Sequence, residues 1–151
     1  MTKEELKNGI LELNPSAVFE ETGEWLSVLI DSPNWLPFAN ELKSKLGLDY
    51  LFCLTGVDWK THLSVVYHLT SSTNRNITLV VKAKIADRIN PEIETVSHIW
   101  RTAEFHELEV YDLFGIKFLH HPGLRRLFLT DDWVGWPMRK DYEDPVNMIE
   151  L

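Results

Sequence analysis

The sequence predicts an α+β fold of two layers, helices on one face of a mixed β-sheet, continued by an extended C-terminal arm. Three observations lead there. The hydrophobic period switches along the chain in the order helix, two strands, helix, three strands, helix, the pattern of a sheet layered under helices. A length of 151 residues fits one domain, and 44% hydrophobic with 11% aromatic residues can fill one core. From about residue 122 onward, charges and aromatics interleave with no sustained period of two or 3.6, so that segment is expected to lie as an ordered arm across a surface, its own domain's or a partner's. The expected division is a globular part, residues 1–121, and an arm, residues 122–151.

The elements follow in order. Thr2 followed by Glu5 is a capping-box pattern, and Leu6, Ile10 and Leu13 fall on one helical face, which predicts a first helix closed near Asn14-Pro15. Residues 17–21 and 24–30 flank Thr22-Gly23 as a hairpin. Asp31-Ser32-Pro33 starts a second helix, whose apolar spacing through Leu36, Ala39, Leu42 and Leu46 runs to Gly47. The β-rich runs 50–57 and 63–69 enclose a polar turn, Asp58-Trp59-Lys60-Thr61. Residues 77–85 supply another strand, ended by Asn90-Pro91. Residues 105–114 suit a helix closed by Gly115, 116–118 a short extended piece, and His121-Pro122-Gly123 a turn.

Charge and composition narrow the function. A formal net charge of −8 argues against a nucleic-acid binder and favours basic protein partners. No run of roughly 18 apolar residues occurs, and the N-terminal MTKEELKNG has no apolar signal core, so the expectation is a protein neither spanning nor secreted. Cys53, the one cysteine, excludes an internal disulfide and cannot alone hold an iron–sulfur cluster. A reducing, cytoplasmic setting is the expectation. No dinucleotide fingerprint, P-loop or nucleophile elbow is present.

The stretch 105–142 concentrates the chemistry. Its histidines and aspartates, His120, His121, Asp131 and Asp132, pose the competing reading, an independent metal-dependent hydrolase. Their spacing supports it poorly, because adjacent histidines point apart in an extended segment. His106 reads as a helix-surface or interface histidine. Glu107 and Glu109, at i and i+2 on a helix, face different directions and cannot act as an acid/base pair on one substrate; with Asp112 they read as a solvated acidic face. Arg125, Arg126, Arg139 and Lys140 beside Trp133 and Trp136 are too few and too interrupted by acids to track phosphates. Arginine and tryptophan dominate protein–protein hot spots, so docking is the expected use, with a clamp over the protein's own sheet as the other.

Three blocks in order, ELEVYDLFGI, HPGLRR and DWVGWPMRKDY, resemble the 30 kDa subunit family of respiratory complex I, over about a third of the sequence. Leu108, His120 and Glu143 depart from the residues usual there. The resemblance implies the same α+β architecture and a cofactor-free structural subunit in the peripheral arm of a proton-translocating NADH:quinone oxidoreductase. It implies packing on a hydrogenase-like large subunit at the quinone site, beside the iron–sulfur small subunit, with FMN and iron–sulfur clusters held by partners. Any membrane association would run through the complex, on the cytoplasmic side. The contact residues it implies are Glu107, Glu109, Asp112, Arg125, Arg126, Trp133, Trp136, Arg139, Lys140, Asp141 and Tyr142. The equivalent subunit of a membrane-bound energy-converting hydrogenase is the alternative inside the same superfamily.

Overall fold

The computed structural model describes residues 2–20, 23–130 and 132–142. Helix α1 (Lys3–Leu13) starts where expected, with the Thr2 hydroxyl accepting from the Glu5 amide at 3.2 Å, and ends at Asn14. Strands β1 (Val18–Glu20) and β2 (Leu26–Asp31) pair antiparallel. A single 3₁₀ turn at Ser32–Asn34, with Pro33 inside it, leads into α2 (Trp35–Leu46). Gly47 closes α2 at φ 69°, a conformation that costs a side-chain-bearing residue strain.

Strands β3 (Tyr50–Asp58), β4 (Leu63–Thr70) and β5 (Thr78–Ile85) form an antiparallel meander. β5 then pairs in parallel with β2, giving a mixed five-stranded sheet ordered β1-β2-β5-β4-β3. Helix α3 (Ala103–Phe114) follows, closed by Gly115 at φ 74°. The expected extended piece at 116–118 is strand β7 (Lys117–Leu119), but its parallel partner β6 (Glu92–Glu94) and the pairing itself escaped the sequence reading. Three residues are too few to display a period, and the pairing spans α3, so nothing local announces it.

The alternation along the sheet divides its helix-covered face from the opposite one. Leu63, Val65, Tyr67 and Leu69 of β4, with Leu79, Val81, Ala83 and Ile85 of β5, are buried in one apolar cluster with Leu6 and Ile10 of α1 and Trp35, Phe38, Ala39 and Leu42 of α2. Ser64, Val66, His68, Lys82 and Lys84 alternate onto the opposite face. Trp35 is central: its ring lies 4.5 Å from Tyr67 and stacks on Trp100 at 6.1 Å. Trp100 in turn donates its indole N–H to the Leu48 carbonyl at 2.9 Å. Burying one such large apolar side chain stabilises by roughly 1.5–3 kcal/mol, so this layer carries most of the folding free energy. α3 packs at the β3 edge, where a Cβ on Gly56 would meet the Phe114 ring at 2.7 Å; only glycine allows that approach.

Candidate functional site

The C-terminal end of α3 sets the geometry of the arm. An α-helix leaves its last carbonyls unpaired, and they attract cations and N–H donors. Here the arm supplies both: Arg126 reaches the Asp112 carbonyl at 3.1 Å, the Met138 amide the Leu113 carbonyl at 3.0 Å, and Arg139 the Phe114 carbonyl at 2.6 Å. The expected arm therefore crosses its own domain, with its inner side spent on α3.

Asp112, fully buried, is the centre of this seam. Its carboxylate accepts from Arg126 Nε at 2.8 Å and from the amides of Phe128 and Leu129 at 2.6 and 3.1 Å. Burial alone would raise its pKa; the two amides and the guanidinium outweigh that and hold it below the ordinary carboxylate value. Arg126 also lies 4.3 Å over the ring of Trp136, a cation–π contact, and bonds the Gly135 carbonyl at 3.1 Å. Trp136 seats in a notch at Gly115, where a Cβ would come within 2.5 Å of the indole.

A second clamp closes at the end of β3. Asp58 takes both guanidinium nitrogens of Arg88, at 2.5 and 3.0 Å, and the backbone amides of Lys60 and Lys140, both at 2.8 Å. The Arg88 hydrogen bond, opposed by burial, holds Asp58 well below the usual carboxylate range. Arg88 reaches on to Asp141 at 3.4 Å and receives Arg139 at its own carbonyl at 3.2 Å. Sequence reading placed Asp58 in a polar turn, whereas it is the buried last residue of β3, and it did not single out Arg88. They lie 30 positions apart, and a single aspartate in a turn carries no local mark of burial.

Glu107 forms a third, internal site. It is 0% exposed, accepts from the Thr95 hydroxyl at 2.5 Å and the Val96 amide at 3.0 Å, and lies 3.9 Å from His121 Nε2. Burial pushes it up to about 7, only partly offset by those two donors. His121 accepts at Nδ1 from the Gly123 amide at 3.0 Å, so Nε2 carries the proton and donates to the Glu104 carbonyl at 2.8 Å. His120, in a left-handed conformation at φ 66°, pairs instead with Glu94 at 2.8 Å. The adjacent histidines thus diverge. Among the described residues no group of three or more His, Cys, Asp or Glu side chains could hold a metal, and Asp131 lies outside those residues.

The expected contact residues therefore sort into two sets. Glu107, Asp112, Arg126, Trp136 and Arg139 are engaged inside the protein, and the fully buried Glu107 and Asp112 present nothing to a partner. Arg125, Lys140 and Asp141 are exposed, Glu109 and Tyr142 are half-buried, and His106 is half-buried on α3. Along the arm's outer side four large apolar side chains stand in solvent: Phe128 at 64%, Trp133 at 36%, Val134 at 88% and Met138 at 55%. Of these the sequence reading had named only Trp133.

Comparison with known proteins adds the relatives of this arrangement. A family described as "Respiratory-chain NADH dehydrogenase, 30 Kd subunit" matches residues 28–146. The sequence is 48% identical over 112 residues to the C/D subunit of the NADH-quinone oxidoreductase of Phocaeicola vulgatus, a match to 74% of this protein but only 21% of that one. It is 41% identical over 129 residues to the C subunit of the NADH-quinone oxidoreductase of Geobacter metallireducens, a match to 83% of this protein and 78% of the relative. Two solved structures share the fold. One belongs to the membrane-bound sulfane sulfur reductase, an archaeal respiratory membrane complex, at TM-score 0.80 and 28% identity over 93% of this protein and 85% of that one. The other is a trypsin-resistant fragment (1–134) of Nqo5, at TM-score 0.69 and 27% identity, covering 82% of this protein and 100% of the fragment.

Proposed function

Because the chain belongs to the family of the 30 kDa subunit of respiratory-chain NADH dehydrogenase, we propose that it is a cofactor-free architectural subunit of the peripheral arm of complex I. In this reading it docks on the hydrogenase-like large subunit, beside the iron–sulfur small subunit, and supports electron transfer to quinone by holding those partners in place. FMN and the iron–sulfur clusters belong to the partners, and the protein meets the membrane only through the complex, on its cytoplasmic side. Among the described residues no helix is long and apolar enough to cross a membrane. That relatives bear the double name C/D supports a close contact between the C and D polypeptides; this protein spans about a fifth of the length of those relatives.

The observation that carries the reading is the two-sided arm. Its inner side chains are latched to α3 and β3, while Phe128, Trp133, Val134 and Met138 point outward. An apolar patch carried on a rigid strap has already lost the conformational entropy that binding would otherwise cost. Replacing Trp133 by Ala together with Val134 by Ser removes two of the four outward apolar side chains without touching the latch. Partner subunits are expected to stop co-purifying, while the melting temperature of the isolated protein stays unchanged. Full assembly of the double variant would refute the docking role.

The likeness to the sulfane sulfur reductase complex favours one second reading, the equivalent subunit of a related membrane-bound, hydrogenase-type complex. NADH oxidation by the purified complex that contains this protein separates the two: activity with NADH selects complex I.

A further inference from the structure

His121 is the last residue before the arm, and its side chain, 1% exposed, is engaged at both ring nitrogens: Nε2 on the Glu104 carbonyl at 2.8 Å and Nδ1 on the Gly123 amide at 3.0 Å. Its backbone amide is fixed to the Phe118 carbonyl of β7 at 3.2 Å. Pro122 and Gly123 are exposed, so the turn that opens the arm has room to follow the ring. Nε2 thus faces two acceptors one turn apart on α3, the carbonyl it uses and the Glu107 carboxyl 3.9 Å away. A charge-assisted hydrogen bond is about twice as strong as a neutral one and forms near 2.8 Å, so once Glu107 is ionised a ring displacement of about 1 Å brings Nε2 to the better acceptor. The Glu104 carbonyl can release the ring, because inside a helix it keeps the amide four residues on.

The surroundings of Glu107 accommodate both of its forms. Thr95 has one hydroxyl proton and two oxygens in reach, Glu107 Oε1 at 2.5 Å and Ser97 Oγ at 2.9 Å. It can accept from a protonated Glu107 while donating to Ser97, or donate to an ionised one. Ser97 is half-buried, so the two hydroxyls join a sealed carboxyl to the solvent. The titratable groups that bear on Glu107 are Glu104 of α3, Tyr67 of β4, which burial pushes far above its ordinary pKa and so keeps uncharged, and His121. Burial above all, with the Glu104 charge, favours the protonated form, while the Thr95 and Val96 donors favour the anion. Asp112 and Asp58 are held below the ordinary carboxylate value and stay charged near neutrality, so the arm beyond its root remains latched.

We propose that Glu107 and His121 form a proton-operated hinge at the root of the arm: with Glu107 protonated the His121 ring rests on the Glu104 carbonyl, and with Glu107 ionised the Nε2–H moves to the carboxylate and draws the His121-Pro122-Gly123 turn with it. The proton passes from Glu107 to Thr95 as Thr95 gives its own to Ser97 and Ser97 gives its own to water; no other covalent bond changes. The buried anion then has three donors, Thr95, Val96 and His121, which allow it to stay buried. The inference rests on this protein's own fold and not on its docking in a complex.

The test is an NMR titration of the full-length protein from about pH 6 to about pH 9. The Glu107 carboxyl carbon reads its ionisation, and the His121 ring nitrogens and the Gly123 amide read the hinge. All are expected to shift together, with one midpoint at about 7. Glu107→Gln keeps the shape without the charge and should abolish that shift at His121 and Gly123. Thr95→Val removes a donor to the anion and should move the midpoints of all three groups upward together. The proposal fails if His121 and Gly123 stay still while Glu107 titrates in the wild type, a comparison that needs no variant to fold. It fails equally if a shift with the same midpoint survives in Glu107→Gln, or if Thr95→Val moves the Glu107 midpoint and leaves that of Gly123 behind.

Discussion

The helix-over-sheet layer and the α3–arm seam stabilise one protein by opposite means. In the layer, Leu6, Ile10, Trp35, Leu42, Tyr67 and Leu79 are 0–1% exposed, and cohesion comes from apolar area with no directional demand. In the seam, two nearly sealed carboxylates, Asp58 and Asp112, are met by guanidinium groups and backbone amides from far along the sequence. Apolar packing tolerates volume-conserving exchange. A buried charge tolerates no missing partner, so the seam fixes where the arm lies more than it adds to stability.

Four measurements break or sharpen this contrast. The largest effect is expected for Asp112→Ala, which leaves the Arg126 guanidinium and two amides without their acceptor. Removing one member of a buried pair costs about 3–5 kcal/mol. Chemical denaturation of the isolated protein measures it, and a loss below about 1 kcal/mol, the worth of an exposed pair, would reduce the seam to a surface contact.

Leu42→Ala in the layer, 0% exposed in wild type, is expected to cost about 2–5 kcal/mol through lost transfer energy and a cavity. The two substitutions should differ in kind. Proteolysis is expected to nick the arm of the folded Asp112→Ala variant, and to leave the arm of the folded Leu42→Ala variant intact. Equal nicking of both would dissolve the distinction.

The third measurement is the pH dependence of stability. Glu107 is raised by burial to about 7, so between its unfolded value and pH 7 the folded state binds more protons than the unfolded one. Its contribution is full in mild acid and is lost as pH rises, about 2 kcal/mol between pH 5 and pH 7. Asp58 and Asp112 are lowered, so theirs is present near neutrality and is lost only in stronger acid. Denaturation midpoints of wild type and Glu107→Gln across that range decide it: the variant should lose the downward slope, and an unchanged slope would disprove the assignment.

The smallest effect is expected for Glu41→Gln, which breaks the solvent-facing i,i+4 pair with Lys45 at 3.3 Å. About 0.3–0.5 kcal/mol is the usual worth of such a pair. Thermal melting at low salt reads it. A cost like that of Asp112→Ala would mean that charge alone, without burial, explains the seam.

The layers were legible because their signals are local. Period, caps and turns announced α1, the β1–β2 hairpin, α2, the meander and α3 within a few residues. The seam was legible only in part. Glu107 and Glu109 do face apart as their spacing requires, one fully buried and one half-buried. Nothing in EFHELEVYD, however, tells a buried carboxylate from a solvated one, because the difference is made by Thr95, Val96 and residues 126–129. The blocks that carried the family resemblance are the seam itself, so the resemblance located the site without revealing which charges meet. Arg88, remote from all three blocks, lay beyond either kind of reading.

The parallel pairing of β2 with β5 bears on how the protein is made as well as on its shape. β3, β4 and β5 can zip up as neighbouring hairpins, whereas β2 is synthesised about fifty residues before the strand it needs. Closing that loop is the slow, entropically costly contact of the fold. Until it forms, the nascent polypeptide exposes an unpaired β2 edge rich in leucine and valine, a template for pairing with other molecules. Early protection from hydrogen exchange is therefore expected at β3–β4 and late protection at β2, with aggregation during synthesis greatest while residues 26–31 wait for residues 78–85.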